Sequence, residues 1–235
     1  MTVVDPLHPL LNLGEVAELH ESARAAIAAV HRRPVSLRHP EVTGSESVLR
    51  GARLSTLIDG HDIDLGSEPA GPLGQAISCY SLLAPGKLES SARTFGRAPL
   101  QVLARMDVLA GGDGVPVAAA GATRLRTLTQ VIVGGAHDGL LPQIVHGEIA
   151  SAQIFGPRSG LVARAACRLA AVHSGFDPRG LAVPESYLNR HRREYAMALA
   201  GFGGGPEGVG VFLELMFRAW EAGAAEAEAI AQAAA

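Results

Sequence analysis

Apolar residues in this chain recur at three- and four-residue intervals between glycine and proline interruptions, and almost nowhere at every second position. That period matches the turn of an α-helix rather than the pleat of a strand. Residues 13–33 show it with Leu13, Val16, Leu19, Ala23, Ala26, Ile27 and Val30. Pro34 is expected to close that helix, because proline disfavours helical backbone in the residue before it. A second segment, 45–58, carries Val48, Leu49, Ala52, Leu54 and Leu57 and stops at Asp59-Gly60. A loop containing Gly60, Gly66, Glu68, Pro69 and Gly71 follows over 60–71. Further helices are expected at about 72–84, 97–110, 123–134, 140–153, 159–173, 184–200 and 207–233. Only 115–119 and 130–133 leave room for short ribbons, and no repeat of solenoid length is visible. The expected fold is all-α, a bundle of about eight helices. It divides into an N-terminal helical segment, 1–65, and a main helical domain, 66–235, packed as one compact unit.

Composition says what such a bundle must be built from. Of 235 residues, 48% are hydrophobic but only 4% aromatic, and 40 are alanine and 28 glycine. A core of Leu, Val, Ile and Ala brings helices close together. Charged residues at 18% exclude a disordered, solvating chain. The 19 arginines and the single lysine, Lys87, stand against 23 acids. A net charge of −3 gives no electrostatic case for nucleic acid or an anionic membrane. No apolar run reaches membrane-spanning length, and Met1–Pro6 lacks a basic start followed by an apolar stretch, so a cytoplasmic protein is expected. Cys79 and Cys167 form no C-x-x-C pair and read as small buried hydrophobes. Val209, Phe212, Leu213, Met216, Phe217 and Trp220 make one apolar stripe on the last helix. Core packing is the expected use of that stripe; spacing alone does not separate it from a homodimer face.

The stretch from Val145 to Arg164 is the most informative. An apolar helix ends near Gln153, a Gly/Pro loop spans 156–160, and a second helix begins near Ser159. Unpaired N–H groups at such a helix start form a natural anion site. Arg158, Ser159, Gly160 and Arg164 are the candidate anion-binding residues, the arginines through charge-assisted bonds. The plain alternative is an ordinary helix-loop-helix with Ser159 as a cap and Arg158 in solvent. Elsewhere, Gly111–Gly114 and Gly203–Gly205 lack a strand-loop-helix context, so neither reads as a nucleotide loop. Glu148 and Asp138 are not paired as catalytic acid and base. His8, His20, His31, His39 and His61 show no metal-ligand spacing. Arg190-His191-Arg192-Arg193 is expected on a helix, as a solvated face or the rim for an acidic partner.

With these residues in view, the chain resembles the Fic (Fic/Doc) family, whose signature H-P-F-x-[D/E]-G-N-G-R-x-x-R lies between two helices. Laid without gaps on Gln153–Arg164, it is matched by Phe155, Gly160 and Arg164. The flanks His146–Ile149 and Val162–Ala165, and the later Gly175–Leu181, Glu194-Tyr195 and Ala198-Leu199, are similar to those of Fic proteins. The resemblance covers about residues 40–225 and is closest to a divergent actinobacterial branch. Many Fic proteins also carry an inhibitory helix, [S/T]-x-x-x-E-[G/N], whose glutamate pairs with the last signature arginine. Ser55, Asp59 and Gly60 have that spacing, with aspartate for glutamate, so Asp59 is expected to face Arg164.

What the resemblance implies is a Fic-like bundle and transfer of AMP from ATP to a protein hydroxyl. That chemistry needs a base, a metal and an anion cradle. Here Gln153 occupies the base position, and an amide has no useful basicity near neutral pH. Pro157 replaces the metal-binding acid, Leu161 the first arginine and Arg158 the first glycine. His146, two turns before Gln153 and about 10 Å away, is too far to substitute. The expectation is a binding or regulatory module that retains at most affinity for ATP, another nucleotide or phosphate, without Mg²⁺. The alternative is a pocket repurposed for another group transfer, with Arg158 and Gln153 as its new polar groups. A protein partner is implied, and the sequence does not identify it.

Overall fold

The structure, a computed structural model, describes residues 5–64 and 69–235. Met1–Val4, read above for a targeting signal, lies outside the described residues, as do Gly66, Glu68 and the 65/66 boundary. Among the described residues the chain is all-α, without strands. Twelve α-helices succeed one another: α1 (Val16–His31), α2 (Pro34–Arg38), α3 (Pro40–Ile58), α4 (Gly71–Tyr80), α5 (Pro85–Arg97) and α6 (Pro99–Leu109). Then come α7 (Ala119–Val133), α8 (Leu140–Ser151), α9 (Ser159–Ser174), α10 (Glu185–Arg190), α11 (Arg192–Gly201) and α12 (Pro206–Ala233).

Twelve helices replace the expected eight for a definite reason. Pro34, Pro40, Pro85, Pro99 and Pro206 each occupy the first helical position. There the missing N–H costs nothing and the fixed φ already suits the helix. Proline therefore starts elements here as often as it stops them. Helix α5 was not expected, because Ser90 and Ser91 dilute an apolar pattern anchored only by Leu88, Ala92 and Phe95. The expected helix at 184–200 breaks at His191 into α10 and α11. Of the two expected ribbons, 130–133 lies within α7. Segment 115–119 is the lead-in to α7, and Val117 N–H donates a backbone bond to Ile154 O at 2.9 Å.

Helix α9 runs through the middle. Every residue from Leu161 to Ala171 is buried, with α8 along one side and α3, α4, α5 and α6 around the rest. Its alanines permit that close approach. Helix α1 lies along α12, and the α12 stripe from Phe212 to Trp220 is core. Trp220 Nε1–H donates to Gln143 Oε1 on α8 at 2.9 Å. Ion pairs Arg33–Glu228 and Arg50–Glu226 tie the N-terminal helices to α12 as well. Cys79 and Cys167 are buried and free; burial pushes the Cys79 thiol up to about 12, with Asp107 adding to the shift and Arg164 opposing it. No helix among the described residues is long and apolar enough to cross a membrane.

Candidate functional site

The seam between α3 and α9 holds two buried arginines. Ser47, Gly51 and Ser55 of α3, and Asp59 that caps its C-terminus, recur every fourth residue and so share one face. On α9, Arg164 and Arg168 are likewise one turn apart, and both are buried. Arg164 donates from Nε to Ser55 Oγ (2.8 Å) and from Nη2 to Asp59 Oδ2 (2.5 Å) and Ser55 O (3.3 Å). Arg168 donates to Ser47 Oγ (2.6 Å), Ser47 O (3.2 Å) and Gly180 O (2.8 Å). Glu185 of α10 lies 3.8 Å from Arg168 and accepts the Tyr80 hydroxyl at 2.7 Å. Gly51 makes the second seat: a Cβ there would collide with Arg168 Nη1 and stand 2.9 Å from Tyr80 Cε1.

Electrostatics keep Arg164 charged. Burial disfavours its charge, but the Asp59 carboxylate, with the Tyr195 and Tyr80 hydroxyls, outweighs that and raises its pKa. Beyond it, Tyr195 Oη and His146 Nε2 share a bond of 2.6 Å. Burial, reinforced by Arg164, lowers the His146 pKa to about 3, so that imidazole is neutral. Burial likewise lifts Tyr195 to about 12, with Arg164 opposing.

The structure thus brings Ser55, Asp59 and Arg164 together, with Gly160 beneath them: a Cβ on Gly160 would lie 3.1 Å from both Arg164 and Asp59. Gly60 forms the turn after α3, at φ 84°. The other candidates go elsewhere. Arg158 neither sits in solvent nor joins Arg164; its Nε donates to the wholly buried Asp107 at 2.7 Å. Asp107 also accepts Gly114 N–H at 2.9 Å, so the Gly111–Gly114 segment wraps a carboxylate. Ser159 is the first residue of α9 rather than its cap, and its hydroxyl accepts Phe155 N–H at 2.9 Å. Gln153 is exposed and is the one non-glycine at positive φ, 49°, among the described residues. Gln153 N–H to Ala150 O and Ile154 N–H to Ile149 O close the end of α8 as a Schellman motif, with Gln153 where glycine is usual. Its side-chain amide donates back to Ala150 O at 2.9 Å. Arg192 of the basic run caps α3 through Leu57 O at 2.9 Å. Sequence reasoning missed Asp107, Glu185 and Ser47, and named Tyr195 only within a stretch similar to Fic proteins, without a role. The sole signal for Asp107 was an acid inside an apolar helix.

No protein-family model matches this sequence, and no curated protein is a significant match.

Proposed function

We propose that this chain is a binding or regulatory module on a Fic-like helical scaffold, without AMP-transferase chemistry. The seat of Arg164 carries the reading. The guanidinium that would meet a phosphate in the resembled family is held by Ser55 and Asp59, at the spacing of that family's inhibitory helix. The Asp59 side chain is 29% exposed and Arg164 only 2%, so an incoming anion meets the carboxylate first and must displace it. Gln153 supplies no base and Pro157 no metal ligand. Transfer through Arg158 and Gln153 draws less support, since Asp107 and Ala150 O already engage them.

Thermal-shift titration with ATP, ADP and AMP, with and without Mg²⁺, tests the proposal alongside labelling of lysate proteins from labelled ATP. The wild type is expected to transfer no label and to show no Mg²⁺-dependent shift. Asp59→Ala frees Arg164 and is expected to gain nucleotide-dependent stabilisation, still without label transfer. The same variant leaves a buried charge unpaired and should lose about 2–4 kcal/mol of stability, less than a fully buried pair because Asp59 is partly solvated. Label transfer by the wild type that disappears in Gln153→Ala would overturn the proposal.

A further inference from the structure

Away from the α3–α9 seam, His20 on α1 meets His137 and Asp138 in the turn before α8. The ligand-type atoms of the three residues all lie within 4.8 Å of one another. His20 Nε2 is 3.9 Å from Asp138 Oδ1, and His137 Nδ1 is 3.4 Å from the same oxygen. Ligand atoms around a tetrahedral ion at its usual bond lengths stand about 3.3–3.6 Å apart. The His137–Asp138 pair already has that spacing, and His20 has to draw in by a few tenths of an ångström toward Asp138.

Two further observations aim at the same point. His20 Nε2 and His137 Nδ1 are both buried and have no hydrogen-bond partner, and the His20 side chain is only 4% exposed. A buried polar nitrogen without a partner is costly and calls for an ion or a water. The surroundings also fix the groups in place. The His20 ring stacks on Phe176 (centroids 5.8 Å) and meets the Phe217 ring edge-on. Gly139 leaves room for it, since any side chain there would strike the His20 ring. Gly139 N–H donates to Asp138 Oδ1 at 2.7 Å, and the Ser174 hydroxyl to Asp138 O at 2.8 Å. His20 Nδ1, on the other side of the ring, lies 3.2 Å from the exposed Glu21 Oε1. On the outer side Asp138 is 37% exposed, which opens a path from solvent.

The geometry points to a divalent transition-metal site of the zinc class, held by His20 Nε2, His137 Nδ1 and Asp138 Oδ1, with water completing the coordination. Two imidazoles and one carboxylate suit Zn²⁺ and its neighbours rather than Mg²⁺ or Ca²⁺, which favour all-oxygen shells. The ion would pin α1 to the turn that starts α8. Because none of its ligands belongs to the α3–α9 seam, this site stands or falls separately from the function proposed above.

The test uses the full, untagged chain stripped with chelator. Zn²⁺ is titrated by calorimetry and Co²⁺ by visible absorption. One ion per chain is expected, with a dissociation constant of about micromolar or tighter and a four-coordinate Co²⁺ band. At a hundredfold excess over that constant the melting temperature should rise by about 5–10 °C. His137→Ala and Asp138→Asn alter the more exposed side and should keep the helical circular dichroism while weakening binding at least tenfold. Absence of saturable one-to-one binding, or binding that neither variant weakens, overturns the site.

Discussion

His146 shows how far burial alone reshapes a side chain. It stands too far from Gln153 to replace the missing base, and its core position adds a second reason: a pKa of about 3 makes it a poor proton acceptor at neutral pH. The same shift links stability to acidity. The unfolded chain takes up a proton on this residue below about pH 6.5, and the folded chain does not until about pH 3. Its contribution is therefore fully present above pH 6.5 and falls as pH drops through that window, by at most about 5 kcal/mol. Urea unfolding at pH 7 and pH 4 checks this. His146→Gln, which cannot ionise, should lose about 2–3 kcal/mol less between those two values than the wild type. Equal losses would mean that other groups set the acid limb.

At the scale of elements, Gly51 sets how α3 can meet α9. Alanine normally favours a helix over glycine by about 1 kcal/mol, yet here its methyl would occupy the Arg168 seat. Gly51→Ala is expected to destabilise by about 1–3 kcal/mol, measured by denaturant unfolding, because displaced buried groups outweigh propensity. A neutral or stabilising result would show that the Arg168 side chain can move aside. The sequence made the helices legible wherever apolar residues formed a full stripe, as in α1, α9 and α12. It did not reveal α5, where three apolar residues suffice because Phe95 is fully buried, nor the break at His191, where no glycine or proline marks it. The Ser55/Asp59–Arg164 contact was legible only through the resemblance to Fic proteins, whose inhibitory-helix pattern implied it. Asp107–Arg158 and His20–Asp138 were not, since each joins residues whose neighbours carry no shared pattern and only the packing of helices brings them together.

For the whole molecule, the N-terminal helices are woven into the rest. Helix α1 lies along α12, and α3 packs on α4 and α10. Trp220, the only tryptophan, is fully buried beside Phe176 and Gln143 and so reports on that common core. Its fluorescence and far-ultraviolet circular dichroism should give the same midpoint in urea, as one cooperative unit requires. Separate midpoints would show that the chain does not unfold as one cooperative unit. The pairing of α1 with α12 also bears on how the chain is made. Helix α12 leaves the ribosome after α1 to α11, so the apolar face of α1 and the α8 side that receives Trp220 have no cover until then. Synthesis from the N-terminus cannot complete this core in instalments, and a nascent chain interrupted before Pro206 would present that surface to chaperones and proteases.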